Sequence, residues 1–290
     1  MDVYYVDGVF SPADAAVIPV NDLAVLRGFG VFDLMRTYNG EPLFMEDHIN
    51  RLAHSASEIG LHFPWKTEAV AEIVRQTLGK NRHLADASIR MVVTGGPSDD
   101  FSTPKNAPRL LVLVSAVPSL PAAWYNEGVK IVTVITERFK PGVKSISYIP
   151  ATIAMETARK AGAVEAIYLD RSQRVLEGTT SNIFAFIGGR LVTPGGEILS
   201  GITRKVTLEV GREMFPVDIR DMHLDELQTA DEVFITGTNK GLVPVNQVDD
   251  HRIGDGRPGR NTRRLMTKLG ARVARHAPLA KNGNRNGSKA

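Results

Sequence analysis

Val129-Lys-Ile-Val-Thr-Val-Ile-Thr136 is a run of branched and apolar residues, and the stretch after it, Glu137-Arg-Phe-Lys-Pro-Gly-Val-Lys-Ser-Ile-Ser-Tyr148, is not. The first pattern is that of a strand. The second holds Pro141-Gly142 and reads as a loop. Pro150 fits the first turn of a helix, with Ile153, Ala154, Thr157, Ala158 and Ala161 as its buried face and Gly162 as its end. Strand, loop and helix thus follow one another, and Lys144 stands in the loop. A lysine there can point into a cleft between domains. Placement alone assigns it nothing, because most loop lysines are solvated.

Upstream, residues 3–10 read as a strand hairpin with its turn at Asp7-Gly8, and 31–38 as a strand turning at Asn39-Gly40. Ile49, Leu52, Ala53, Ala56 and Ile59 fall at helical spacing, with Gly60 as the stop. Residues 66–79 read as a second helix, and 88–94 and 109–115 as strands of one sheet. Pro118 and Pro121 open a short polar link that runs to about Gly128. Downstream, strands are expected at 165–169, 182–187, 190–193 and 232–236, with a helix from about Ile202. A last helix has Leu265, Leu269 and Val273 on one face and Arg264, Lys268 and Arg272 on the other. The elements do not alternate as regular βαβ units, so the expected class is α+β. The expected division is residues 1–118, a linker at 119–128, a second domain at 129–275, and a disordered tail at 276–290.

Composition narrows the chemistry. The chain has 290 residues, 43% of them hydrophobic, which suffices for two cores. It has no cysteine, so disulfides and thiolate catalysis are excluded. The seven histidines show no HxxxH or HExxH spacing, so no metal site is expected. His48, His54 and His62 read as surface or supporting residues. No run of about 18 apolar residues and no basic-then-apolar leader is present, so a cytoplasmic protein off the membrane is expected. Residues 251–290 hold 11 basic residues and 1 acidic, while the rest of the chain is net acidic. A basic end can touch nucleic acid, but no aromatic side chain lies beyond Phe234 to stack on bases, so a solvated helix face is preferred.

Four further segments give Lys144 a context. A Schiff-base lysine must be held rigidly and partly desolvated. Glu177-Gly-Thr-Thr-Ser-Asn-Ile-Phe184 sets an acid at a strand end before a polar turn. Leu199-Ser-Gly-Ile-Thr-Arg204 puts Gly201, Ile202 and Thr203 at a helix start, where free N–H groups and a hydroxyl suit a phosphate. Phe234-Ile-Thr-Gly-Thr-Asn239 ends a strand with Thr238. His48-Ile-Asn-Arg51 sets Arg51 on the first long helix.

Taken in this order, and with Arg27-Gly-Phe-Gly-Val-Phe-Asp33, these segments resemble the fold-type IV pyridoxal 5'-phosphate (PLP) enzymes, the class IV aminotransferases, over residues 3–270. The resemblance implies a smaller α/β N-terminal domain and a larger, barrel-like C-terminal domain. It implies that Lys144 carries the cofactor and moves the substrate proton, and that Tyr148 bonds the cofactor's ring oxygen. Glu177 would pair with the pyridine nitrogen, and Leu199 would pack on the ring. Arg51, Gly201, Ile202, Thr203 and Thr238 would form the phosphate site. The implied reaction is ping-pong transfer of an amino group between an amino acid and a 2-oxo acid. A homodimer is implied as well.

The substrate is less constrained. The Arg-x-His pair common in D-amino-acid transaminases is absent from Thr94-Gly-Gly-Pro-Ser-Asp-Asp-Phe101. The Gly-Thr-Ala-Ala-Glu-Val of branched-chain enzymes is here Gly237-Thr-Asn-Lys-Gly-Leu242, and their Phe-Glu is Phe32-Asp33. Arg90, Lys240 and a neighbouring subunit's Arg27 are candidates to receive the substrate carboxylate beside Phe32. The structural alternative pairs Arg90 with Asp33 and leaves Lys240 solvated. The expectation is a D-amino-acid transaminase with an unusual carboxylate site. A branched-chain L-amino-acid aminotransferase, an (R)-amine transaminase, an aminodeoxychorismate lyase and a nucleic-acid-binding protein are the alternatives.

Overall fold

The computed structural model describes residues 1–277. Six antiparallel strands form the first sheet: β1 (Val3–Val6), β2 (Val9–Pro12), β3 (Gly30–Tyr38), β4 (Glu41–Pro42), β5 (Ala87–Thr94) and β6 (Arg109–Ala116), in the order β2-β1-β6-β5-β3-β4. The short helix α1 (Leu23–Arg27) precedes β3. Helices α2 (Met45–Glu58) and α3 (Thr67–Lys80) cover one face. Strand periodicity explains why. Val31 and Met35 of β3, with Ile89, Met91 and Val93 of β5, meet Ile49, Leu52, Val70 and Val74 of the two helices in one core. The alternate residues Phe32, Leu34, Arg90 and Val92 line a cavity instead.

The link between the sheets is not plain loop. It contains α4 (Ala122–Asn126), whose Trp124 and Tyr125 pack on the second core. Two aromatics in a segment read as polar were the overlooked signal.

The second sheet has nine strands: β7 (Val129–Ile135), β8 (Glu165–Leu169), β9 (Val175–Gly178), β10 (Asn182–Ile187), β11 (Arg190–Thr193), β12 (Val217–Ile219), β13 (Glu232–Gly237), β14 (Gly241–Val248) and β15 (His251–Arg252). The order is β12-β11-β10-β13-β14-β7-β8-β9, with β15 on β14. Chain-adjacent β9 and β10 are joined by residues 179–181, where the Gly178 N–H donates to Ser181 O at 2.7 Å. The sheet is therefore curled, a half-barrel. Both faces of its middle are buried, so β10 and β13 read as unbroken apolar runs. Ile183, Ala185, Val233 and Ile235 point into the curl. Phe184, Phe186 and Phe234 point out, under α6 (Ile202–Arg212) and α8 (Arg260–His276). A one-turn helix, α7 (Leu224–Gln228), precedes β13.

Helix α5 (Ile149–Lys160) begins where Pro150 placed it, but its buried face is Ala151, Ala154 and Ala158. Ile153, Thr157 and Ala161 are exposed. Small side chains let α5 lie close on Val132, Ala166 and Tyr168, and the larger Ile153 is turned outward. Helix α8 runs through His276, into the segment expected to be disordered; the remainder of that expectation, 278–290, lies outside the described residues. No helix among the described residues is long and apolar enough to cross a membrane.

Candidate active site

The loop between β7 and α5 leaves the second sheet and is stitched to the first. The Phe32 N–H donates to Lys144 O at 2.9 Å, the Ile146 N–H to Gly30 O at 3.1 Å, and the Lys144 N–H to Ser55 Oγ at 3.2 Å. Lys144 is thus fixed at the seam by β3 and α2. Its ammonium lies 4.6 Å from the Phe32 ring centroid. Burial, and then the Arg51 guanidinium, push its pKa down to about 8, against the pull of Asp33 and Glu177. A good fraction of the amine is therefore neutral near pH 8, as a nucleophile and proton carrier must be.

Lys144 lines a cavity of about 210 Å³ together with Arg51, Tyr148, Glu177 and Leu199. Gly201, Ile202, Thr203 and Thr238 line the same cavity, so every residue expected to meet the cofactor faces one space. Helix α6 starts there with Gly201 as N-cap and no side-chain cap, which leaves its first N–H groups for an anion. The Thr236 hydroxyl, also on this cavity, is buried without a partner among the described residues. The donor set fits a phosphorylated aldehyde: a cation and a helix start for the phosphate, an amine for the carbonyl carbon, a carboxylate for a ring nitrogen.

Arg51 is held before any ligand arrives. Its Nε and Nη2 grip both oxygens of fully buried Asp33 at 2.7 and 2.8 Å, and Nη1 donates to Ser200 O at 3.2 Å, just before α6. His48 Nδ1 lies 2.6 Å from Asp33 Oδ1. Burial pushes the His48 pKa down, so the ring is neutral and Nδ1 carries the donated proton. Asp33 therefore pairs with Arg51 and His48, not with Arg90. His48 is a core residue, while His54 and His62 are exposed.

Glu177 accepts the Leu199 N–H at 3.0 Å and pairs with Arg138. Burial pushes its pKa up, and Arg138 opposes that most strongly. Arg138 also donates to Pro141 O, so one guanidinium braces both the acid and the lysine loop. Sequence reading missed Arg138: it stands in an irregular stretch, and its partner is 39 residues away. The Tyr148 hydroxyl donates to Thr179 O at 3.3 Å, and the ring meets Phe32 edge-on at 5.7 Å.

An adjoining cavity of about 540 Å³ shares Lys144, Tyr148, Thr180 and Thr238 with the first, and is lined also by Phe32, Arg90 and Lys240. The Arg90 guanidinium lies 4.9 Å from the Phe32 centroid. Among the described residues it has no carboxylate partner. Lys240 is not solvated. Its ammonium bonds Glu165 Oε2 at 3.0 Å and Thr180 Oγ1 at 2.9 Å. Arg27 ends α1, is exposed, and lies on neither cavity of this chain.

The amino-transferase class IV family model matches residues 30–248. The chain belongs to the class IV aminotransferases. It is accordingly a PLP-dependent transaminase of fold type IV. It is 36% identical over 273 residues to a protein of Methanocaldococcus jannaschii named provisionally as a branched-chain-amino-acid aminotransferase, covering 91% of this chain and 94% of that one. It is 30% identical over 284 residues to the D-alanine aminotransferase of Staphylococcus aureus, covering 96% and 100%. Its fold matches the branched-chain aminotransferase of the archaeon Thermoproteus uzoniensis, solved with norvaline, at TM-score 0.88 and 26% identity, over 96% of each chain.

Proposed function

We propose that this transaminase moves amino groups between D-amino acids and 2-oxo acids, with Arg90 receiving the substrate carboxylate. The observation behind this reading is a guanidinium without a carboxylate partner, among the described residues, in the cavity that Lys144 also lines. PLP, when bound, supplies the electron sink that lets the α-proton of an amino acid leave. Lys144 takes that proton and returns it one position away. Glu177, paired with Arg138, holds the ring nitrogen's proton. Arg51, Thr238 and the start of α6 hold the phosphate, and Tyr148 the ring oxygen. Phe32 is the apolar floor between Lys144 and Arg90.

The alternative is a branched-chain L-amino-acid enzyme. Phe32, Leu34, Val92 and Ile146 give the cavity an apolar wall that suits such side chains. A side-by-side assay of D-alanine, D-glutamate, L-leucine and (R)-1-phenylethylamine separates the readings. D-amino acids are expected to be turned over first, and preference for L-leucine over every D-amino acid overturns the assignment. Arg90→Met is expected to raise KM for carboxylate substrates by about 10–100-fold, the loss of a charge-assisted bond, with a smaller change in kcat.

We also propose a homodimer that divides at residues 1–118 and 129–275 in each chain. Phe139 lines the cofactor cavity and is 89% exposed, and Ile149 and Ile153 are exposed as well. An apolar rim beside a site needs cover, and a second copy would also bring its Arg27 near. Light scattering should give twice the chain mass; a monomer at working concentration would defeat this part.

A further inference from the structure

Glu165 on β8 is fully buried and takes no part in the roles above. It accepts from the Thr179 N–H at 3.1 Å and the Thr179 hydroxyl, from the Thr180 hydroxyl at 2.7 Å, and from the Ser181 hydroxyl at 2.9 Å. Lys240 closes the set at 3.0 Å and also donates to Thr180. Thr179, Thr180 and Ser181 form one wall of the cofactor cavity, and Gly237 and Thr238 another. Lys240 extends the second wall, its N–H donating to Gly237 O at 3.2 Å and its carbonyl accepting from the Tyr125 hydroxyl at 3.0 Å. A single carboxylate therefore gathers the first turn, and a single ammonium ties the second turn to it.

The packing is as tight as the bonding. A Cβ on Gly178 would lie 2.3 Å from Ser181 Oγ and 3.0 Å from Glu165 Cγ. A Cβ on Gly237 would lie 3.0 Å from Thr180 O and 3.3 Å from Lys240 Cγ. The two turns touch, with room for hydrogen atoms only at these two positions. The Lys240 side chain is 15% exposed and that of Glu165 is not exposed at all. A carboxylate so deeply desolvated needs a cation to remain charged, and Lys240 is the cation that reaches it.

We propose that Glu165 and Lys240 form a clamp that sets the spacing of the 179–181 and 237–240 turns around PLP. Lys240 is then a positioning residue, not the ligand of the substrate carboxylate. This rests on the class IV reading and sharpens the proposed substrate site, because it leaves Arg90 as the carboxylate contact within the chain. Removing the ammonium alone strands a buried anion between the turns and spreads them. Removing both charges lets them close again, since a neutral pair needs no counter-ion.

The test is a double-mutant cycle on full-length protein: Lys240→Met, Glu165→Gln, both together, and Lys240→Arg. Cofactor-stripped protein is titrated with PLP to give Kd. KM for a 2-oxo acid is measured separately at saturating PLP. Lys240→Met should weaken PLP binding about 10–100-fold, as loss of a supporting partner does, while Lys240→Arg keeps it within about threefold. The double variant should recover most of the loss, the non-additivity expected of groups in contact. KM in Lys240→Met should move less than about threefold, because the substrate contact is untouched. If Lys240→Met leaves PLP binding intact and raises KM for every carboxylate substrate, Lys240 is a substrate ligand and the clamp is wrong. Additive losses in the double variant overturn it too. An error in the substrate assignment would change which acids show a measurable KM and leave the PLP cycle as described.

Discussion

Replacing Lys144 with alanine is expected to lower kcat by at least about 10⁴-fold, the upper range for one acid–base group, because the same amine is also proposed to form the bond to the cofactor. The fold should survive. Among the described residues the Lys144 ammonium makes no hydrogen bond, and its backbone ties to Phe32 and Ser55 do not depend on the side chain. Burial already works against its charged form, so truncation removes an unfavourable charge. A melting temperature equal to or slightly above that of the parent should therefore accompany the lost activity. A Lys144→Ala protein that keeps more than about a hundredth of the parent kcat would remove Lys144 from both roles.

Arg51→Met should have the largest effect on stability, a loss of about 3–5 kcal/mol, because it strands the buried Asp33 carboxylate. Asp33 has no solvent exposure and takes two bonds from Arg51. His48 can offset part of the loss only by taking up a proton, and burial disfavours that. The pH dependence follows from the same geometry. Burial alone would raise the Asp33 pKa, but Arg51 and His48 outweigh it and hold it well below the usual carboxylate range. A depressed folded-state pKa contributes stability above the unfolded value of about 4 and loses it as pH falls below that. The parent should lose stability on acidification from about pH 4, and Arg51→Met should show a smaller loss over the same window. Denaturant midpoints at about pH 7 and about pH 3 measure both. Equal midpoints for parent and variant at the higher pH would show that Asp33 does not need Arg51. The variant should also bind PLP weakly, since Arg51 is the cation proposed for the phosphate.

Much of this site was legible in the sequence because its parts are local motifs. Gly201-Ile-Thr203 announces an uncapped helix start, Glu177 a strand end, Thr238 a turn after a strand, and Lys144 a loop between strand and helix. What sequence order could not give is the pairing between distant segments. Asp33 meets Arg51 across 18 residues and Arg138 meets Glu177 across 39. Lys240 meets Glu165 across 75. Each is a charged residue in a stretch whose own pattern assigns it no partner, so Lys240 reads as a candidate for the substrate carboxylate and nothing in the sequence singles out Arg138. The error on α5 has a related cause. Helical spacing was correct, but alanines and isoleucine compete for the buried face, and the sheet beneath accepts the small ones. Strands β12, β14 and β15 are not predicted, because short runs, and Pro244 in β14, weaken the period-two signal.

Lys144 is the residue proposed to be joined to PLP. Borohydride reduction of PLP-loaded protein fixes that bond, and peptide mass spectrometry locates it. The pyridoxyl mass should appear on the peptide that contains Lys144 and on no other. A labelled lysine elsewhere in the chain, or no labelled peptide from protein shown to hold PLP, would take that bond away from Lys144.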